Sequence, residues 1–152
     1  MRYQLEVNGA VHDIDAEPFE TLVTVLREHC RLTGTKVGCR VGYCGACTVL
    51  LDGLPVHACC VIAADCVDSV VTTIELAATE PLGERVIAEF ERQGAVQCGY
   101  CTPGFVMTAT GMPVEATCSR QAVRDYLVGN ICRCTGFVKP VDAICTAREV
   151  TR

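Results

Sequence analysis

The chain has 152 residues, half of them apolar and 20% charged, with a net charge of −5. That length holds one ordinary domain or two small ones with a real core, and the balance argues against wholesale disorder and against a nucleic-acid footprint. The opening MRYQLEVNGAV has no basic stretch followed by an apolar one, so no signal peptide is expected, and the longest apolar run, Ala58 to Ala64, is far short of a membrane span. Residues 1–75 carry 5 basic and 10 acidic side chains, and the remainder 8 of each.

In chain order, Tyr3 to Val7 alternates as a strand, Asn8-Gly9 is a two-residue hairpin signal, and Val11 to Ala16 returns. Thr21 is placed to cap a helix through Arg31 with Leu22, Val23, Val25 and Leu26 as its apolar face. Thr48 to Leu51, the Asp52-Gly53 turn and Leu54 to His57 form a second hairpin. The β-branched run Ser69 to Ile74 is the last strand expected. After residue 75 the pattern turns helical. Pro81 opens a helix with Val86, Ile87 and Phe90 inward, closed at Gln93-Gly94. A second follows Pro103, Ser119 caps a third, and a fourth begins near Pro140. The chain thus divides into residues 1–75, β-rich, and 76–152, helical, joined by a short linker at 75–80.

Thirteen cysteines, an odd number, cannot all pair, and no signal points to an oxidising compartment. Metal or redox chemistry in a reducing cytoplasm is the better expectation. Cys39, Cys44 and Cys47 are spaced C-x4-C-x2-C, with Cys59 following after eleven intervening residues. This is the spacing of plant-type [2Fe–2S] ferredoxins. Two irons and two sulfides need four thiolates, three from a tight loop and one from a distant point. Gly38, Gly42 and Gly45 are expected to take positive φ and aim amides at an anionic cluster. The bland reading, buried structural thiols, fits this pattern poorly. Cys98-Gly-Tyr-Cys101 and Cys132-Arg-Cys134 form a second group at helix edges. Taken alone, that group suits zinc as well as a cluster. A thiol–disulfide motif needs a βαβ setting that the helical half does not offer. A Rieske centre needs paired histidines, and His12, His29 and His57 read as ordinary surface or packing residues. Cys30, Cys60, Cys66, Cys118 and Cys145 read as small core residues. Arg40 and Arg133 lie inside the cysteine loops and either offset cluster charge or face solvent or a partner's carboxylate.

The segments TGTKVGCRVGYCGACTVLLDG, QCGYCTPGFVM and GNICRCTGF, in that order, resemble the small iron–sulfur subunit of the xanthine oxidase family of molybdenum hydroxylases. The resemblance spans roughly residues 3–145. It implies an α+β chain: an N-terminal β-grasp, ferredoxin-like domain followed by a C-terminal four-helix bundle. It implies one [2Fe–2S] cluster on Cys39, Cys44, Cys47 and Cys59, and a second on Cys98, Cys101, Cys132 and Cys134. Gln97 and Cys134 would approach a molybdopterin cofactor held by a separate large subunit. The first cluster would face FAD, usually on a third, medium subunit, in a dimer of heterotrimers. The chain would be the non-catalytic electron wire of an oxidoreductase, substrate chemistry lying on another subunit. As a partner-bound protein it would show an apolar patch around Gly99 to Phe105. Cys60 stands where the family commonly has an aliphatic residue, and spacing favours Cys59 as the ligand. The competing expectation is a free-standing plant-type ferredoxin with a zinc-stabilised helical domain. An iron–sulfur sensor that binds DNA fits poorly with the acidic charge.

Overall fold

Asn8 and Gly9, at φ 55° and 77°, turn strand β1 (Arg2–Val7) back into β2 (Ala10–Asp15), the primed turn that an Asn-Gly pair favours. Asp52 and Gly53 do the same between β3 (Thr48–Leu51) and β4 (Leu54–His57). The chain is seen here as a computed structural model that describes residues 1–117 and 119–149, so the expected core residue Cys118 lies outside the described residues. β5 (Val70–Thr72) runs parallel to β1 and antiparallel to β3, giving one sheet of order β2-β1-β5-β3-β4. A helix packs on this sheet and buries Leu22, Val23, Val25 and Leu26 among Leu5, Val7, Val49 and Val71. That is the β-grasp arrangement expected of the N-terminal half.

The helix differs from the expected one. It is α-helical only over α1 (Leu22–Thr24) and continues as a π-helix over Val25–His29, where the Cys30 amide reaches back to the Val25 carbonyl at 3.0 Å. It stops before Arg31, whose φ of 60° is left-handed. The Thr21 hydroxyl contacts that of Thr24 at 2.9 Å and caps no amide. The last strand is also shorter than expected. Thr73 gives its amide to Asn8 Oδ1 at 2.8 Å and its hydroxyl to Glu75, and a short helix α2 (Ile74–Ala77) begins at once. The expected linker therefore starts inside a helix.

The helical half follows the sequence closely. α3 (Pro81–Arg92) carries Pro at its first turn and closes on Gly94 at φ 61°. α4 (Thr102–Thr110) starts just after Cys101. α5 (Arg120–Tyr126) is capped by the Ser119 hydroxyl, which accepts from the Ala122 amide at 3.1 Å. α6 (Val138–Ala147) starts before Pro140. Together they enclose a second core of Val86, Phe90, Phe105, Val123, Leu127 and Ile144, in which the Phe105 ring lies 6.4 Å from Phe90 and 6.0 Å from Phe137. Mixed sheet and helical bundle make the α+β fold expected. Among the described residues no helix is long and apolar enough to cross a membrane.

The two halves meet backbone to backbone. Gly104 in α4 faces the carbonyl of Gly45 so closely that a Cβ at 104 would collide with it. Asn130, 3% exposed, gives its side-chain amide to the same carbonyl. Tyr100 donates its hydroxyl to the Val37 carbonyl at 2.6 Å, and where the chain leaves the first half the Glu75 carboxylate accepts from the Gly34 amide at 2.8 Å.

Candidate metal centres

The loop from Cys39 to Cys47 lies between the π-helix and β3, and it is folded so that amides point at sulfur. The amides of Val41, Tyr43 and Cys44 donate to Cys39 Sγ at 3.4, 3.2 and 3.4 Å. The Gly42 amide donates to Cys59 Sγ at 3.3 Å. Three donors on one sulfur stabilise its thiolate, and they draw the Cys39 thiol down to about 6. Cys47, at the end of the loop, is 2% exposed, and burial pushes its thiol up to about 12, with the nearby Cys59 sulfur adding to the rise. The loop thus has an anion-ready rim and a dry floor.

Positive φ is found at Gly42 and Gly45, 69° and 68°, but not at Gly38, contrary to expectation. Gly38 is required for another reason: a Cβ there would stand 2.7 Å from Cys44 Sγ. The non-glycine Arg40 takes the third left-handed position, at φ 60°. Cys59 is buried in the turn after β4, whereas Cys60 is exposed, with its Sγ 3.8 Å from that of Cys59. Cys60 is therefore not the core residue expected. Of the others, Cys66 is buried and Cys30 and Cys145 are half-buried.

The second group assembles from two helix approaches. Cys101 sits at the N-terminus of α4, Cys98 in the turn before it, and Cys132 and Cys134 in the turn ahead of α6. Cys98 and Cys134 have their sulfurs 3.6 Å apart and are both exposed. Cys101 and Cys132 form the inner pair. The Cys101 thiol is pushed up to about 12 by burial and then by the neighbouring Cys132. Burial works upward on Cys132, but the Thr135 hydroxyl and amide, at 3.2 and 3.4 Å, together with the Cys134 amide and the Cys101 thiol, outweigh it and hold that thiol below its ordinary range. Two pairs of thiols, one outer and one inner, suit a binuclear centre with two ligands on each metal. Among the described residues no group of three or more His, Cys, Asp or Glu is drawn together tightly enough to hold a single metal ion.

Gln97 is exposed beside Cys98, so it shares the outer rim with Cys134. The apolar patch differs from the one expected: Phe105 is fully buried, and the exposed residues are Val96 at 40% and Tyr100 at 48%. Three residues near the sites escaped sequence reasoning. The Ile131 amide donates to the Cys44 carbonyl at 2.9 Å, Asn130 joins Gly45, and His57 Nδ1 lies 3.0 Å from the Gly42 carbonyl. Asn130 and Ile131 lie inside the GNICRCTGF segment, of which only the cysteines were read as functional, and His57 lies at no motif spacing.

Residues 5–67 match the family described as 2Fe-2S iron-sulfur cluster binding domain, and residues 73–145 match the [2Fe-2S] binding domain. Among similar curated proteins, subunit beta of the 6-hydroxypseudooxynicotine dehydrogenase complex of Paenarthrobacter nicotinovorans is 41% identical, over 93% of this chain and 90% of its own. The nicotinate dehydrogenase small FeS subunit of Eubacterium barkeri is 40% identical, over 89% and 87%. A chain of quinoline 2-oxidoreductase from Pseudomonas putida 86 superposes with a TM-score of 0.86 at 37% identity, covering 98% of this chain and 94% of that one. Fold and sites together define a carrier built from two [2Fe–2S] domains. The chain belongs to the small iron–sulfur subunits of the xanthine oxidase family of dehydrogenases.

Proposed function

We propose that this chain is the electron-transfer subunit of a molybdenum hydroxylase, lying between a molybdopterin centre on a large subunit and FAD on a medium one. When bound, each [2Fe–2S] cluster takes up and gives back one electron at a time. Cys39, Cys44, Cys47 and Cys59 would hold the distal cluster, nearest FAD. Cys98, Cys101, Cys132 and Cys134 would hold the proximal one, with Gln97 and Cys134 turned toward the pterin. The chemistry of the donor sets fits: four thiols at each site, and at the first an array of amides aimed at two of the sulfurs.

The observation that carries the reading is the 2.9 Å hydrogen bond from the Ile131 amide to the Cys44 carbonyl. Ile131 precedes Cys132, so one ligand of each proposed centre is joined through a single hydrogen bond and one peptide. A short bonded link between two cysteine loops is what a relay needs and what two independent storage sites do not. The chain's own residues exclude water from Cys47, orient the sulfurs and set local charge; those are the levers on potential.

We infer two domains, residues 1–75 and 76–152, each with its own core. The complex is read as a dimer of heterotrimers in the cytoplasm, where a reducing poise keeps so many thiols free. Exposed Val96 and Tyr100, beside Gln97 and Cys98, mark the face toward the large subunit. The free-standing ferredoxin with a zinc-stabilised tail is not favoured, because residues 73–145 match a [2Fe-2S] binding domain. Purification of the chain from its native source tests the proposal. Two further subunits, carrying molybdenum and flavin, are expected, with two S = 1/2 signals after dithionite reduction. A lone chain with a single signal overturns it.

A further inference from the structure

We infer that His57 is a positioning residue that tunes the distal cluster through the peptide between Gly42 and Tyr43. The inference rests on the proposed ligation of Cys39. His57 ends β4 opposite Thr48 in the hairpin register, so its backbone stands beside both Cys47 and Cys59 in the fold. Its Nδ1 lies 3.0 Å from the Gly42 carbonyl oxygen. A carbonyl only accepts, so Nδ1 carries the proton and donates. The same peptide unit presents its other end, the Tyr43 amide, to Cys39 Sγ at 3.2 Å. A donor on the oxygen of an amide polarises its N–H, and hydrogen bonds in such a chain strengthen one another. The imidazole therefore acts on the Cys39 sulfur through two hydrogen bonds and the peptide between them, without touching it.

The far side of the ring faces the helical half. Gly129, just ahead of the second cysteine turn, is the near neighbour there: a Cβ at 129 would stand at contact distance, 3.5 Å, from both Cε1 and Nε2. His57 is half-buried and borders a small cavity of about 160 Å³ shared with Thr48, Thr108 and Asn130. The helical half thus borders the imidazole on the side away from the Gly42 carbonyl.

Hydrogen bonds to cluster sulfurs favour the reduced, more negative form and raise the potential. Loss of the His57 donor should make reduction of the distal cluster about threefold to tenfold less favourable; tenfold is about 59 mV for one electron. The measurement is a redox titration of the purified complex followed by EPR, with both cluster signals read in each sample. His57→Leu should lower the distal potential and leave the proximal one unmoved. His57→Asn, whose side-chain amide can stand where Nδ1 stood, should restore it. An unmoved distal potential in His57→Leu overturns the inference, as does an equal shift of both signals. Should the Leu variant fail to load, His57→Asn and His57→Gln decide the matter, since Gln carries its amide one bond too far. Asn at the wild-type value with Gln lowered supports the inference, and equal values or loss of the signal in Asn overturn it. Cys39→Ser tests the underlying ligation separately: an unchanged distal signal in that variant removes the reading beneath the inference, whatever His57 does.

Discussion

The side-chain amide of Asn130 donates to the Gly45 carbonyl at 3.2 Å across 85 positions of sequence. That carbonyl also accepts the Thr48 amide at 3.2 Å and the Thr48 hydroxyl at 2.7 Å. Asn130 is thus one of three donors on a single oxygen at the seam between the two cysteine loops.

Asn130→Ala should cost about 1–2 kcal/mol, because Thr48 still satisfies the carbonyl after the amide is gone. Asn130→Asp should cost more, about 3 kcal/mol or above, since it sets a carboxylate against a carbonyl at a position 3% exposed. The urea midpoint for loss of visible cluster absorbance gives the ranking. Asp tolerated as well as Ala would mean that the seam admits water.

Two glycines separate close approach from backbone strain. Gly53 has φ of 82° with no atom near a Cβ there, so Gly53→Ala should cost only the left-handed penalty of about 1–2 kcal/mol. Gly104 lies in a helix, where Ala is otherwise favoured by about 1 kcal/mol, yet its Cβ would meet the Gly45 carbonyl. Gly104→Ala should nevertheless be the more damaging change, by roughly 3 kcal/mol, because backbone has to part from backbone. Thermal unfolding of the two loaded variants reads the difference.

The order along the relay is open to kinetic test. In a Cys47→Ser complex lacking the distal cluster, substrate should still reduce molybdenum and the remaining cluster in one rapid phase, while steady-state transfer to the flavin's acceptor collapses. Cys132→Ser, if the complex assembles, should block electron exit from molybdenum. Rapid-freeze EPR distinguishes them, and the reverse pattern means that the assigned order is backwards.

Metal analysis bears on the helical half directly. The loaded chain should hold about four iron atoms and no zinc. About two iron and one zinc would return the zinc-stabilised reading.

Both hairpins, the Pro81 helix and the Ser119 cap were legible because each rests on local chemistry: a φ > 0 pair, a fixed proline φ, a hydroxyl at an N-cap. The cysteine groups were legible because ligand spacing is written along the chain. The π-helix was not, since Leu22, Val23, Val25 and Leu26 face inward whether or not a turn is widened by one residue further on. The early end of β5 depends on Asn8, 65 positions away, taking the Thr73 amide. His57, Asn130 and Ile131 were hidden for the same reason: each gains its meaning from a partner in the other half or in another loop, and no periodicity records that. Gly38 kept its residue type but for a different cause, a sulfur in the way instead of a left-handed turn.

The short passage between the two halves is tied down where it leaves the sheet. Thr73 is clasped by Asn8, and Glu75 takes both the Thr73 hydroxyl and the Gly34 amide. With Tyr100 bonded to Val37, Asn130 to Gly45 and Ile131 to Cys44 across the two halves as well, the joint is a splint and not a hinge. Subunits gripping opposite ends of this chain would therefore feel one solid piece, and a misfit at either grip would be carried to the other. The gap an electron crosses inside the chain is then set when the polypeptide folds, before any partner arrives, and assembly has only the two outer gaps left to adjust.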